Sequence, residues 1–177
     1  MCIRDRDGQI SILPWDYNLA FGTYALGMTN PLKDPEILIN YPIYTPAEGS
    51  VMKNRPLYHN LMKQDEYFAR YQKYFDQLIS GYFESGHFQT WMEQTFRMIA
   101  PYVEKDPTAF CSYEDYCLAV DTLKQVCELR AESVRLQLDG EIPATLSGQE
   151  EYPEKKVDVS SIRLEDLGDF GDLRKRG

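Results

Sequence analysis

The sequence has 177 residues, of which 43% are hydrophobic, so its length and composition suit one packed domain rather than a disordered chain. Its formal net charge of -9 at pH 7 repels phosphate backbones and anionic lipid surfaces, so neither nucleic acid nor a membrane surface is an expected partner. The acidic charge suits divalent metals and Lys- or Arg-rich proteins, although it also serves solubility alone. No apolar run approaches the roughly 20 residues that span a bilayer.

The first residues predict a β-hairpin. Asp7-Gly8 is a turn signal, and the alternating segment Gln9–Leu13 is typical of a strand that Pro14 ends. Residues 1–6 have no apolar core of the kind that a signal peptide carries. Because they resemble a recurrent start of fragmentary translated sequences, we interpret them as an artefactual prefix and exclude them from the fold. We therefore expect the chain to begin inside a hairpin of a longer protein.

Residues 21–54 are rich in Pro and Gly, and we predict an irregular loop there. A loop of this length in a compact domain is usually functional or disordered. Its larger side chains indicate that it is partly pinned to the body of the domain; they are Tyr24, Leu38, Ile39, Tyr41 and Tyr44.

Three strong helices follow, at about residues 65–83, 87–103 and 113–138, and a shorter helical turn at 56–62 precedes them. Ser85 is a predicted N-cap, Ser112 with Asp115 forms a predicted capping box, Pro101 should kink or end the second helix, and Gly140 should end the third. The predicted core stripe of the first helix is Tyr67, Tyr71, Tyr74, Leu78 and Tyr82, broadened by Phe68, Phe75 and Ile79. That of the second is Phe88, Met92, Phe96 and Ile99. That of the third is Tyr116, Val120, Leu123, Cys127, Ala131, Val134 and Leu138.

Residues 141–177 predict an acidic linker and tail, partly disordered, because apolar density falls there and residues 147–156 show no periodicity. A few apolar residues could dock or form a short helix: Ile162, Leu164, Leu167 and Phe170. The closing Arg174-Lys175-Arg176 we interpret as a solvated end.

The cysteines do not predict a disulfide or a zinc site. Cys117 and Cys127 are ten residues apart on one helix, hence about 15 Å apart, which is too far for a disulfide. There is no CxxC motif, and the sequence has 2 histidines, His59 and His87. We expect Cys111, Cys117 and Cys127 to be small buried hydrophobic residues.

One segment carries a chemical signal, the run LPWDYNLAFG at residues 13–22. Asp16 follows directly on the predicted strand, and its carboxylate is a hard oxygen ligand of the kind that Mg²⁺ takes. Asn18 could bind the metal or orient Asp16, while Trp15 and Phe21 would shield the site. The alternative is a Pro-Trp anchor in which Asp16 and Asn18 only stabilise a turn.

PWDYNLAFG resembles the metal-binding motif of the CotH family, the spore-coat-protein-H-like atypical protein kinases. Other segments of residues 7–140 are similar to the same family and stand in the same order. They are Arg55-Pro56-Leu57, then Glu66-Tyr67 and Tyr71, then Ile99 to Tyr102, Asp106-Pro107, and Arg130 to Gly140.

The resemblance implies a Ser/Thr protein kinase that uses ATP with Mg²⁺ or Mn²⁺. It assigns the metal to Asp16, which would be the catalytic residue, with Asn18 as a second ligand and Trp15 beside the cofactor. The family has its phosphate-covering loop, ATP-binding lysine and catalytic-loop aspartate upstream of this motif, so we expect the present chain alone to be inactive. The resemblance also implies a secreted or spore-coat protein as substrate, rich in Ser or Thr and on charge grounds basic. It places the protein in the spore coat or at the cell surface.

The predicted fold class is α+β, the mostly helical C-terminal part of a protein-kinase-like fold with a short β-hairpin remnant at its start. We divide the chain into the prefix 1–6, a partial kinase-like lobe 7–140 and the tail 141–177. Two other functions stay open: a non-catalytic coat or surface scaffold on the same fold, and a helical interaction module in which Trp15 and Asp16 are incidental.

Overall fold

The computed structural model describes residues 2–4, 6, 8, 10–14, 21, 34–45 and 54–168. Two short strands, β1 (Cys2–Arg4) and β2 (Ile10–Ile12), pair antiparallel, with Cys2 opposite Ile12 and Arg4 opposite Ile10. The strand β2 lies within the predicted Gln9–Leu13, and its partner lies within the prefix 1–6 that we excluded from the fold. The place of this pair in a kinase-like fold, and the origin of the prefix, stay predictions. Everything else regular in the described residues is helical.

Helix α1 (Pro35–Asn40) lies inside the segment predicted to be irregular. Asp34 caps it, since the Asp34 carboxylate accepts a hydrogen bond from the Glu36 amide at 2.9 Å, and Pro35 is preset for a first helical turn. The prediction of a continuous irregular loop is therefore wrong for residues 35–40. The predicted pinning to the body is confirmed for Ile39, which is fully buried. Tyr24 lies outside the described residues.

Helices α2 (Pro56–Leu61) and α3 (Asp65–Leu78) follow, and α3 continues as a π-helical turn at Ile79–Glu84. The predicted extent of the first long helix is confirmed, but its predicted core stripe is only half right. Tyr67, Tyr74 and Leu78 are exposed, whereas Ile79 is buried and Phe68, Tyr71 and Phe75 are half-buried. The packed face is narrower than the sequence indicates, because α5 and residues 43–44 cover α3 from one side.

This face can be tested on two adjacent residues. Ile79 is 3% exposed in a cluster with Ile43, Ala131 and Val134, whereas its neighbour Leu78 is 51% exposed. We expect Ile79→Ala to lower the free energy of unfolding by about 2–5 kcal/mol, because it leaves a cavity in the core. The matched Leu78→Ala should cost less than about 0.5 kcal/mol. Urea denaturation measures both, and similar costs for the two would mean that the packed face is misassigned.

Helix α4 (His87–Val103) has the predicted bounds. Its N-cap is Gly86, at φ 77°, rather than Ser85, although the Ser85 hydroxyl accepts a hydrogen bond from the His87 amide at 3.3 Å. The predicted inward face is confirmed at Phe88, which is buried. Ile99 is exposed, and Ala100 is buried next to it. The helix passes through Pro101 and ends two residues later.

Helix α5 (Tyr113–Leu138) also has the predicted bounds and the predicted capping box, in which the Asp115 amide donates to the Ser112 hydroxyl at 3.0 Å. Beyond its end Gly140 adopts φ 77°, and the amides of Gly140 and Glu141 bond back to the carbonyls of Gln137 and Leu136. This is a Schellman termination, for which glycine is the residue of choice. The predicted burial of Val134 is confirmed, while Leu123 is only half-buried.

Two apolar clusters lie on different faces of α5. The first joins α5 to the π-helical turn and consists of Ile43, Ile79, Ala131 and Val134. The second consists of Ile39, Val126 and Ile162, so it joins α5 to α1 and to the chain beyond residue 141. Helix α5 is therefore the central element of the fold.

The described part of the predicted tail, residues 141–168, packs on the body. It forms helix α6 (Leu146–Glu151) and a 3-10 turn at Leu164–Leu167, and it buries Ile142, Val157 and Ile162. The interpretation of residues 147–156 as a linker differs from this finding, because non-periodic chain can dock through a few apolar residues and backbone hydrogen bonds. The suggested docking of Ile162 is confirmed, Phe170 lies outside the described residues, and the domain boundary at 140 stays a prediction.

The cysteine expectation is corrected in one place. Cys111 is exposed, whereas Cys117 and Cys127 are half-buried, and all three are free thiols. Burial raises the pKa of Cys127 to about 11, so at neutral pH it is an unreactive thiol. Within residues 34–45 and 54–168, moreover, no helix has the length and apolar composition that crossing a bilayer requires.

Candidate functional site

The three predicted site residues, Trp15, Asp16 and Asn18, lie outside the described residues, and their metal-binding and cofactor roles stay predictions. Strand β2 ends at Ile12, one residue before Leu13, the predicted last residue of the strand. Leu13 and Phe21, which lie on either side of these three residues within the motif, are each 42% exposed.

Helix α1 is the first element described after the motif. Residues 39–45, which are the last two residues of α1 and the chain that follows, are here called the anchored segment. It has little regular secondary structure of its own beyond Asn40, so its backbone groups need other partners. The Arg130 guanidinium provides two of them, because its Nη1 donates to the carbonyl oxygens of Ile39 at 2.9 Å and Tyr41 at 2.6 Å. Burial lowers the pKa of Arg130 to about 10, so the side chain still carries its positive charge at neutral pH.

Gln137 provides two more partners from the next turns of α5. Its Oε1 accepts from the Ile43 amide at 3.0 Å, and its Nε2 donates to the Tyr41 carbonyl at 3.3 Å and to the Ser133 hydroxyl at 3.1 Å. Gln137 is 2% exposed, so these bonds form away from water. Loss of a partner there would leave a buried polar group unsatisfied.

Asn40 extends the network to the chain beyond residue 141. Its Oδ1 accepts from the Val157 amide at 2.9 Å and from the Ser133 hydroxyl at 3.2 Å, and its Nδ2 donates to the Val157 carbonyl at 3.2 Å. The Asn40 carbonyl accepts from Gln149 Nε2 at 2.7 Å. One buried amide thus links α1, α5 and the segment after α6.

Helix α3 holds the other side of the anchored segment. The Tyr71 hydroxyl donates to the Ile43 carbonyl at 2.7 Å, and Gln72 Nε2 donates to the Tyr44 hydroxyl at 2.6 Å. Burial raises the pKa of Tyr71 above its ordinary value, so Tyr71 stays protonated and donates. Tyr71 cannot therefore serve as a proton acceptor near neutral pH.

What this arrangement does chemically is to position backbone. Its donors and acceptors hold residues 39–45, which lie in the second half of the segment 21–54 that was predicted to be an irregular loop. Over the described residues, no group of three or more His, Cys, Asp or Glu side chains is placed to hold a metal ion. The described network therefore fixes the backbone of residues 39–45, and the metal-binding chemistry assigned to Asp16 stays a prediction.

Sequence reasoning missed the residues of this network: Asn40, Arg130, Ser133 and Gln137. A signal was present, since Val126, Arg130, Ser133 and Gln137 follow one another at spacings of four, three and four and so share one face of α5. Three of the four are polar, and a search for apolar periodicity passes over them. The predicted stripe, drawn through Cys127, Ala131 and Val134, marks the neighbouring face.

A family model described as CotH kinase protein matches residues 3–134. The match includes the motif at 13–22, the anchored segment and the α5 residues Arg130 and Ser133. No curated protein and no solved structure matches the chain. Because the family model covers more than half of the 177 residues, the chain belongs to the CotH kinase family.

Proposed function

We propose that this chain supplies the metal-binding part of a protein kinase site that transfers the γ-phosphoryl group of ATP to Ser or Thr hydroxyls. The observation that carries the proposal is the family match, which spans the Asp16 motif and the helices behind it. The donor set suits the chemistry, since a carboxylate from Asp16 and an amide oxygen from Asn18 are hard oxygen ligands of the kind that Mg²⁺ or Mn²⁺ takes.

Each motif residue has a distinct proposed task. The Asp16 carboxylate holds the metal by charge, Asn18 orients that carboxylate or adds a neutral oxygen, and Trp15 limits the access of water. When bound, the metal neutralises charge on the ATP phosphates. The anchored segment itself is held in one position, since Arg130 and Gln137 bind its backbone.

The same proposal includes three groups that the resemblance places before the motif: a phosphate-covering loop, an ATP-binding lysine and a catalytic-loop aspartate. A secreted or spore-coat protein rich in Ser or Thr is the proposed substrate, and the spore coat or cell surface is the proposed location. The net charge of -9 favours a basic substrate.

A non-catalytic scaffold of the coat or surface is the second candidate. The described part of the chain is compatible with it, because three of its buried polar side chains, Asn40, Ser133 and Gln137, bind backbone or one another. Such a network suits a rigid structural part as well as a kinase lobe.

One assay separates the two functions. A protein carrying this chain together with the upstream groups should transfer labelled phosphate from ATP to a Ser-rich peptide in the presence of Mg²⁺ or Mn²⁺. The 177-residue chain alone should transfer none, because the proton acceptor and the nucleotide clamp lie outside it. Absence of transfer by the longer protein, when it is folded, would favour the scaffold. Robust transfer by the chain alone would show that the essential groups lie within it.

A further inference from the structure

A groove lies where the π-helical turn, α4 and α5 meet. It has a volume of about 290 Å³ and is lined by Ile79, Phe83, Glu84, Gln89, Glu128, Ala131 and Glu132. Its floor is apolar, because Ile79 and Ala131 are buried and Phe83 is half-buried. We call it the acidic groove, since three of its seven lining residues are glutamates.

The negative charge of the groove is only partly neutralised. Glu84 is held by Arg135, whose Nε lies 2.7 Å from Glu84 Oε1. Glu128 and Glu132, one turn apart on α5, form no ion pair with any described residue, and like charges at this spacing destabilise a helix. A cation in the groove would remove that repulsion.

The groove also contains an unsatisfied acceptor. Gln89 Nε2 donates to Glu128 Oε1 at 3.2 Å, which fixes the orientation of the amide. Gln89 Oε1 is shut off from solvent and has no hydrogen-bond partner in the described part of the chain. A buried acceptor without a donor costs about 1–3 kcal/mol, so a donor placed there would be favoured.

These features together define the kind of side chain that would fit the groove. A Lys or Arg side chain has an aliphatic stem for the floor formed by Ile79, Phe83 and Ala131, and a charged group for Glu128 and Glu132. A neutral side chain would leave the charges of Glu128 and Glu132 unpaired, and an acidic one would add to their repulsion.

We propose that the acidic groove is the docking site of this chain's own basic end, Arg174-Lys175-Arg176. The positive charge of this segment favours it as the occupant, and so does the length of the chain that connects it to the described residues. The 3-10 turn at Leu164–Leu167 packs on α5 at the cluster of Ile39, Val126 and Ile162, which is a different face of α5 from the groove. Five residues lie between Gly168 and Arg174, and the six Cα–Cα steps reach about 20 Å when extended, enough to pass around an α-helix, which is about 10–12 Å wide with its side chains. The docking does not depend on the proposed kinase activity.

Two measurements on the full chain test the docking. In ¹⁵N relaxation experiments, the amides of Leu173 and Lys175 should be about as restrained as those of α5. Glu128→Gln with Glu132→Gln should release them, since the groove loses two charges and keeps its shape. The matched control, Glu150→Gln with Glu151→Gln, removes two exposed charges from α6 and should leave them restrained. A carbodiimide cross-linker applied to the wild-type chain should join Lys175, the one lysine of residues 169–177, to Glu128 or Glu132.

Other outcomes would overturn the proposal. Free motion of Leu173 and Lys175 in the wild type would mean a solvated end. Equal release by both double variants would mean attraction to net charge rather than to the groove. In a mixture of ¹⁴N- and ¹⁵N-labelled molecules, cross-linked peptides that pair the two labels as often as random mixing allows would assign the groove to the basic end of a second copy.

Discussion

Arg130→Met is expected to lower the free energy of unfolding by about 1–4 kcal/mol, since one inward-facing carbonyl loses its side-chain donor and a second keeps only the bond from Gln137 at 3.3 Å. The carbonyls are those of Ile39 and Tyr41, which Arg130 Nη1 meets at 2.9 and 2.6 Å. Methionine keeps the apolar stem and the approximate length, so lost hydrogen bonds rather than lost packing dominate the change. Arg130→Lys should cost less, because an ammonium group can still donate to one or both oxygens.

The substitution should change both the stability of the whole domain and the exchange rate of single amides. Urea denaturation gives the free energy, and hydrogen exchange should show faster exchange of the Ile43 amide, which the network now protects. The matched control is Arg97→Met on α4, where an exposed ion pair with Glu93 at 3.5 Å should contribute less than about 0.5 kcal/mol. If Arg130→Met cost no more than Arg97→Met, the anchored segment would be held by apolar burial alone.

The bounds of the long helices could be predicted closely from the sequence, because capping residues mark where such helices begin and end. Ser112 with Asp115 at the start of α5 and Gly140 beyond its end act within one turn, so no tertiary information is needed to read them. The same holds in part for α1, where Asp34-Pro35 marks a helix start that was hidden within a stretch rich in Pro and Gly.

The packing of residues 141–168 and the polar network could not be predicted in this way. Asn40 bonds to Val157, 117 residues further along the chain, and no periodicity connects the two positions. Half of the predicted stripe on α3 failed for a similar reason, since which aromatic side chains are buried depends on where α5 and residues 43–44 lie. The family was readable from PWDYNLAFG, whereas the network that holds residues 39–45 consists of polar residues that an apolar pattern omits.

The largest expected effect on activity belongs to Asp16. In a protein that carries this chain with the upstream kinase groups, Asp16→Asn should lower phosphoryl transfer about a hundredfold or more, since stabilisation of transition-state charge dominates this chemistry. The substitution removes one negative charge and nearly keeps the shape, so the melting temperature should stay near that of the wild type. Asn18→Ala should lower transfer less, because a neutral oxygen attracts a divalent metal more weakly than a carboxylate does.

The most direct measurement of the central claim is therefore the rate of Mg²⁺- or Mn²⁺-dependent autophosphorylation of Asp16→Asn, with the melting temperature recorded on the same sample. Our account predicts a folded protein with wild-type melting and a rate reduced about a hundredfold or more. Near-normal activity would contradict the metal assignment and favour Asp16 as part of a turn. Activity lost only together with a melting temperature far below that of the wild type would make Asp16 a structural residue, again contrary to the account.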